Sequence, residues 1–197
     1  MGSLNVFTPS PNMAVLGSAW PFARRSSTAM GAESGWNPLW ERAQSFISRY
    51  RIGIDPEAEE NQRLPCIFMA EDNPGDVDLL RVALEEHTVA CELWVASDGE
   101  RALRFIDEIG LESLGCPAIA ILDLNLPKKT GRDLLMRMRV HDAWSTIPIV
   151  ILSSSDSEKD KSDVAQLGAS RYIKKPSSLD AFVGIGGVLK EMLAGRV

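Results

Sequence analysis

Five short apolar runs, at residues 66–70, 92–96, 118–122, 148–152 and 171–174, are separated by stretches with helical spacing. This alternation limits the fold more than any other feature of the chain. Strands that alternate with helices imply a parallel sheet whose crossover helices cover both faces. The central runs, such as Cys66-Ile-Phe-Met-Ala70 and Pro148-Ile-Val-Ile-Leu152, are continuously apolar. That pattern suits strands buried on both sides. The last run is shorter and more polar, which suits a sheet edge. The expectation is an α/β domain built on a doubly wound, five-stranded parallel sheet.

The helical stretches carry start and stop signals. The first opens at Asn73-Pro74, a cap followed by a proline in the first turn. The second opens near Asp98-Gly99 and the third follows Gly131. The fourth opens near Ser157 and stops at Gly168, and the fifth runs from near Ser177-Ser178 towards Leu193.

We place a boundary near residue 63, giving an extension over 1–62 and a domain over 63–197. The extension mixes Gly, Pro, Ser and Trp and is expected to be partly disordered. Within it, Leu39, Trp40, Ala43, Phe46, Ile47 and Tyr50 recur at three- and four-residue spacing. This predicts an amphipathic helix over 38–51. An acidic linker, Asp55 to Glu60, follows.

Charge and composition exclude several classes. A net charge of −6 argues against a general nucleic-acid binder, which needs a basic face. No run approaches the roughly 18 apolar residues of a membrane helix. Cys66, Cys91 and Cys116 are odd in number and far apart, without a CxxC spacing, so neither zinc nor a disulfide framework is indicated. Residues 1–30 lack acids and carry Arg24 and Arg25 among serines and alanines, as transit peptides and disordered leaders both do. A cytoplasmic location is the expectation.

Polar residues close the apolar runs. Glu71 and Asp72 follow the first, Asp123 the third, Ser153 the fourth, and Lys175-Pro176 the fifth. In a parallel sheet these ends share one edge, where ligands bind. Taken singly each has a bland use as a cap, turn or loop residue; together they form a set. Carboxylates are hard oxygen ligands that suit magnesium, which also keeps waters and phosphate oxygens. Asp72, Asp123 and the backbone carbonyl of Asn125 are the candidate ligands. Asp123 is also a candidate nucleophile towards a phosphoryl group. Lys175 would supply a point charge and Ser153 a hydroxyl donor to phosphoryl oxygens.

Residues 64–193 resemble a response-regulator receiver domain. The motifs Met69-Ala-Glu-Asp-Asn-Pro-Gly-Asp76, Leu122-Asp-Leu-Asn-Leu-Pro-Lys128, Ile149-Val-Ile-Leu-Ser153 and Tyr172-Ile-Lys-Lys-Pro176 match that family in order and spacing. The wording of the first two resembles the stand-alone subgroup paired with phytochrome-type histidine kinases. The resemblance implies a flavodoxin-like fold and a magnesium-dependent phosphoacceptor rather than an enzyme. Asp123 would be the phosphoacceptor, Asp72 the direct metal ligand and Glu71 an indirect one. Lys175 would bind phosphate. Ser153 and Tyr172 would form a switch, with Ser153 drawn inward and the Tyr172 ring filling the space it leaves. The implied partner is a sensor histidine kinase. The resemblance also admits a homodimer through the face of the fourth helix, fifth strand and fifth helix. No further module is expected after the fifth helix.

Two other readings use the same residues. Phosphatases of the haloacid-dehalogenase type also use an aspartyl nucleophile, but after the first strand and in an Asp-x-Asp pair; here it follows the third, and position 125 is Asn. A receiver-like module that only binds partners would have no use for the intact set of acids, hydroxyl and lysine.

Overall fold

The computed structural model describes residues 45–53, 64–108 and 117–195. Strands β1 (Ser48–Ile52), β2 (Cys66–Ala70), β3 (Cys91–Ala96), β4 (Ile119–Leu122), β5 (Ile149–Ser153) and β6 (Arg171–Lys174) form one sheet in the order β1-β3-β2-β4-β5-β6. Helices α1 (Pro74–Glu86), α2 (Gly99–Glu108), α3 (Gly131–Val140), α4 (Glu158–Gln166) and α5 (Leu179–Leu193) connect or follow the strands. β2 to β6 pair in parallel, and β6 lies at an edge as its polarity predicts.

The helix starts follow from local chemistry. Asn73 caps α1 by accepting from the Gly75 N–H at 3.0 Å, with Pro74 in the first turn. Thr130 and Asp133 form a reciprocal capping box at α3. Ser157 caps α4 by accepting from the Asp160 N–H.

Side chains alternate between two cores because the strands have a period of two. Cys66, Phe68 and Ala70 face α2, α3 and α4, while Ile67 and Met69 face α1 and α5. On the first face Phe68 stacks on Phe105 with centroids 5.1 Å apart, and Trp144 meets both rings edge-on. Such pairs add about 0.5–1.5 kcal/mol each beyond their buried area. On the second face a Cβ at Gly186 would fall 2.0 Å from the Ala83 carbonyl oxygen, so glycine permits the close approach of α5 to α1.

The sheet has one strand more than the sequence reading, and it is antiparallel. Residues 48–52, expected to end a helix over 38–51, form β1 against β3, with Ser48 opposite Val95 and Ile52 opposite Cys91. The rest of that expected helix up to residue 44, the acidic linker, Cys116 and the first 44 residues generally lie outside the described residues. The physical reason is visible in Ser-Arg-Tyr-Arg-Ile. Arg49 and Arg51 are exposed, Tyr50 is half-buried and Ile52 is buried. That alternation fits a strand, and β3 would otherwise present an unpaired edge. Arg49 also pairs with Glu92 across the two strands. The boundary at 63 therefore separates a strand from the sheet to which it belongs.

Candidate functional site

Strand register builds the site. Ala70 lies opposite Leu122, so Glu71 and Asp123 follow at neighbouring strand ends. Ser153 lies opposite Lys174, which sets Lys175 one step beyond. The ladder continues past the strands through Glu71 N–H to Ala96 O at 3.0 Å, Asp123 N–H to Ala70 O at 3.0 Å, and Lys175 N–H to Ser153 O at 2.8 Å. These bonds fix the backbone directly beneath the reactive side chains.

Lys175 is the centre of the cluster. Its Nζ donates to Asp123 Oδ2 at 2.7 Å, Asp76 Oδ2 at 2.7 Å and Glu71 Oε2 at 2.8 Å. Burial alone would lower the ammonium's pKa, but the hydrogen bonds it donates to Asp123, Asp76 and Glu71 outweigh that and raise it. Glu71 is fully buried, and that desolvation lifts its carboxyl above the ordinary range despite the bond to Lys175. Its Oε1 accepts from the Asn73 N–H, which ties it to the cap of α1.

Glu71, Asp72 and Asp123 offer carboxylate oxygens within 4.8 Å of one another. Asp72 is exposed and the other two are buried. An inner pair anchored by lysine and an outer acid open to solvent suit a hard cation that keeps some of its waters. Asn125 presents its N–H to Asp123 Oδ1 at 3.0 Å. The loop beyond Asp123 folds back so tightly that a Cβ at Gly131 would lie 2.0 Å from the Asp123 carbonyl oxygen.

Ser153 and Tyr172 are joined through a residue the sequence did not single out. Ser153 is fully buried, and its Oγ accepts from the Ser155 N–H at 3.3 Å. The Tyr172 hydroxyl donates to the Ser155 carbonyl at 2.9 Å, and its ring is buried. The Ser155 hydroxyl donates to Asp160 Oδ2 at 2.6 Å, and Arg132 of α3 reaches Asp160 and Asp163. The Tyr172 ring is therefore buried in this structure while Ser153 holds its own position at the end of β5.

Asp76 was also missed. An acid in the first turn of a helix is a routine dipole partner. Its position one turn beyond the Glu71-Asp72 pair was the available signal.

The geometry defines a class: an α/β domain whose strand ends gather carboxylates around a buried ammonium. The family model "Response regulator receiver domain" matches residues 67–185, and the chain belongs to that family. It is 32% identical over 133 residues to the response regulator Rcp1 of Synechocystis, covering 66% of this chain and 90% of Rcp1. The phosphorylated cyanobacterial phytochrome response regulator RcpA superposes with a TM-score of 0.62 at 32% identity, covering 68% of this chain and 97% of that one. The Mn(2+)-bound form of Rcp1 superposes with a TM-score of 0.60 at 28% identity, over 68% of this chain and 96% of that one. The chain spans about half the length of several curated transcriptional regulators that it also matches. It is a receiver domain of two-component signalling, similar to stand-alone phytochrome response regulators.

Proposed function

We propose that Asp123 is the phosphoacceptor of a two-component phosphorelay. The observation that carries this reading is the Lys175 ammonium held between Asp123, Glu71 and Asp76, beside the exposed carboxylate of Asp72. An Asp123 oxygen attacks phosphorus and forms an acyl phosphate. The bond from phosphorus to the donor nitrogen breaks, and its electron pair remains on the donor imidazole. Lys175 loses one carboxylate partner and gains a phosphoryl oxygen, so its charge stays neutralised. Ser153 supplies a hydroxyl to another oxygen.

The residues fit a divalent cation. Asp72, Asp123 and the Asn125 carbonyl would hold it, with Glu71 acting indirectly. Magnesium is the natural choice for two carboxylates, a carbonyl and phosphoryl oxygens. Bound there, it offsets the negative charge that accumulates on the phosphoryl group.

The donor is a sensor histidine kinase, and similarity to a phytochrome response regulator supports a kinase of that type. The output is protein contact rather than turnover of a substrate. β6 is an edge strand, which supports a homodimer through the α4–β6–α5 face. No helix among the described residues is long and apolar enough to cross a membrane. We assign a cytoplasmic location with the kinase partner.

The test is incubation with acetyl phosphate and magnesium, followed by intact-mass measurement. The wild-type protein gains one phosphoryl group, and Asp123→Asn gains none. Equal labelling of the variant overturns the assignment, and no labelling of either supports a binding-only receiver.

A further inference from the structure

The loop after Asp123 contains a strained turn. Lys128 has φ +69°, one of two non-glycine residues with positive φ among those described. The Lys129 N–H reaches back two residues to the Pro127 carbonyl at 2.9 Å. A two-residue hydrogen bond spanning a positive φ is the rare, strained form of γ-turn. Strain of this kind persists only where the surroundings hold it.

Asp98 contacts this turn through the Lys128 ammonium, which also lies 3.5 Å from Glu100 Oε2. The Asp98 carboxylate is almost buried, and each oxygen has its own task. Oδ1 accepts from the Arg101 N–H at 2.8 Å and so caps α2. Oδ2 accepts from Lys128 Nζ at 2.7 Å. The neighbouring Gly99 N–H donates to the Pro127 carbonyl at 3.2 Å. A Cβ on Gly99 would fall 1.9 Å from the Lys129 carbonyl oxygen, so the two turns are pressed together. The segment gripped in this way lies between Asp123 and Gly131, and it includes Asn125 and Leu124, whose carbonyl accepts from the Gly131 N–H.

We infer that Asp98 is a positioning residue for phosphoryl transfer: through Lys128 it holds the Leu124–Lys129 loop in the shape that presents Asp123 and the Asn125 carbonyl. It touches neither the donor nor the phosphoryl group. This inference rests on Asp123 being the phosphoacceptor.

Asp98→Ser separates the two tasks. The shorter hydroxyl still caps α2 but cannot reach Lys128. The expected result is an initial rate of labelling by acetyl phosphate at least about fivefold lower at saturating magnesium, since loss of near-attack geometry reduces the chemical step. Amide hydrogen exchange over residues 124–130 should rise in the same variant. Adding Lys128→Gly should restore both, because glycine adopts positive φ without a clamp. A rate and an exchange profile unchanged by Asp98→Ser overturn the inference. So does a double variant that stays as slow and as open as Asp98→Ser alone, which marks a general loss of stability. If the wild type takes no phosphate, the phosphoacceptor reading fails. Exchange over 124–130, with its rescue, then still decides whether Asp98 holds the loop.

Discussion

The Nζ of Lys175 stands 2.7 Å from Oδ2 of Asp123, and the same nitrogen holds Glu71 and Asp76. Lys175→Ala therefore leaves two buried carboxylates, Glu71 and Asp123, without their cation. Removing one partner of a buried pair costs about 3–5 kcal/mol, part of which protonation of Glu71 relieves. Burial already raises the Glu71 carboxyl from its ordinary 4.5. The folded state thus binds that proton more tightly than the unfolded state, and stability falls as pH rises from the ordinary value through the raised one. The deficit of Lys175→Ala in urea denaturation should be greater at about pH 7.5 than at about pH 5. Saturating magnesium should reduce it at neutral pH. A deficit independent of both pH and magnesium would refute the role of Lys175 as the counter-charge.

The Tyr172 hydroxyl sits on the Ser155 carbonyl, and Ser155 also contacts Ser153 and Asp160. A phosphoryl group that draws the Ser153 hydroxyl towards Asp123 must weaken its contact with the Ser155 N–H. The disturbance should then travel through Ser155 to α4, while the ring of Tyr172 stays inside. With only two tyrosines in the chain, ring signals are simple to follow. On addition of beryllium fluoride, amide signals over 153–163 should shift and the Tyr172 ring should keep its buried environment. Tyr172→Phe should cost about 1 kcal/mol, one neutral hydrogen bond. A ring that moves from an exposed to a buried position on activation would show that the inward packing is not the resting one.

Local chemistry made much of this legible. Asn73-Pro74 and Ser157 announced helix starts, continuous apolar runs announced buried parallel strands, and the residues closing those runs announced the site. What failed had a physical cause. Phe46, Ile47 and Tyr50 satisfy a helical period by spacing alone, but the edge of β3 offered Ser48–Ile52 a ladder that a single-sequence pattern cannot see. Asp76 and Ser155 act through tertiary contacts with Lys175 and Tyr172, and their own positions read as an ordinary first-turn acid and an ordinary loop serine. The Tyr172 hydroxyl bonds a backbone carbonyl, that of Ser155, and such a partner has no signature in the sequence.

β1 should unfold with the rest of the sheet. Ile52 is 1% exposed and packs beside Val89 and Cys91 in the core beneath α1 and α5. Ile52→Ala should cost about 2–5 kcal/mol, as buried Ile-to-Ala changes do. Arg49→Ala should cost no more than about 1 kcal/mol, because Arg49 is well exposed. Both should show one cooperative urea transition, read in parallel by tryptophan fluorescence and circular dichroism. Two separate transitions, or an Ile52→Ala variant as stable as wild type, would mean that β1 is an ornament on a self-sufficient sheet.

Cys91 begins β3 with no exposed surface, and burial, aided by the nearby Glu92 charge, pushes its thiol up to about 12. The thiolate is the reactive form, so at about pH 8.5 almost none is present in the folded state. A thiol raised in this way holds its proton more tightly when folded, and its contribution to stability is lost progressively as pH rises from the ordinary 9.0 through the raised value. Native protein treated with iodoacetamide at about pH 8.5 should therefore keep Cys91 unmodified, as peptide-resolved mass spectrometry can read. Urea should bring labelling in step with unfolding. Ile52 packs over the same end of β3, so Ile52→Ala should speed labelling of Cys91 under native conditions more than Arg49→Ala does. Prompt modification in the folded wild type would show that the β1–β3 end of the sheet opens far more readily than its packing implies.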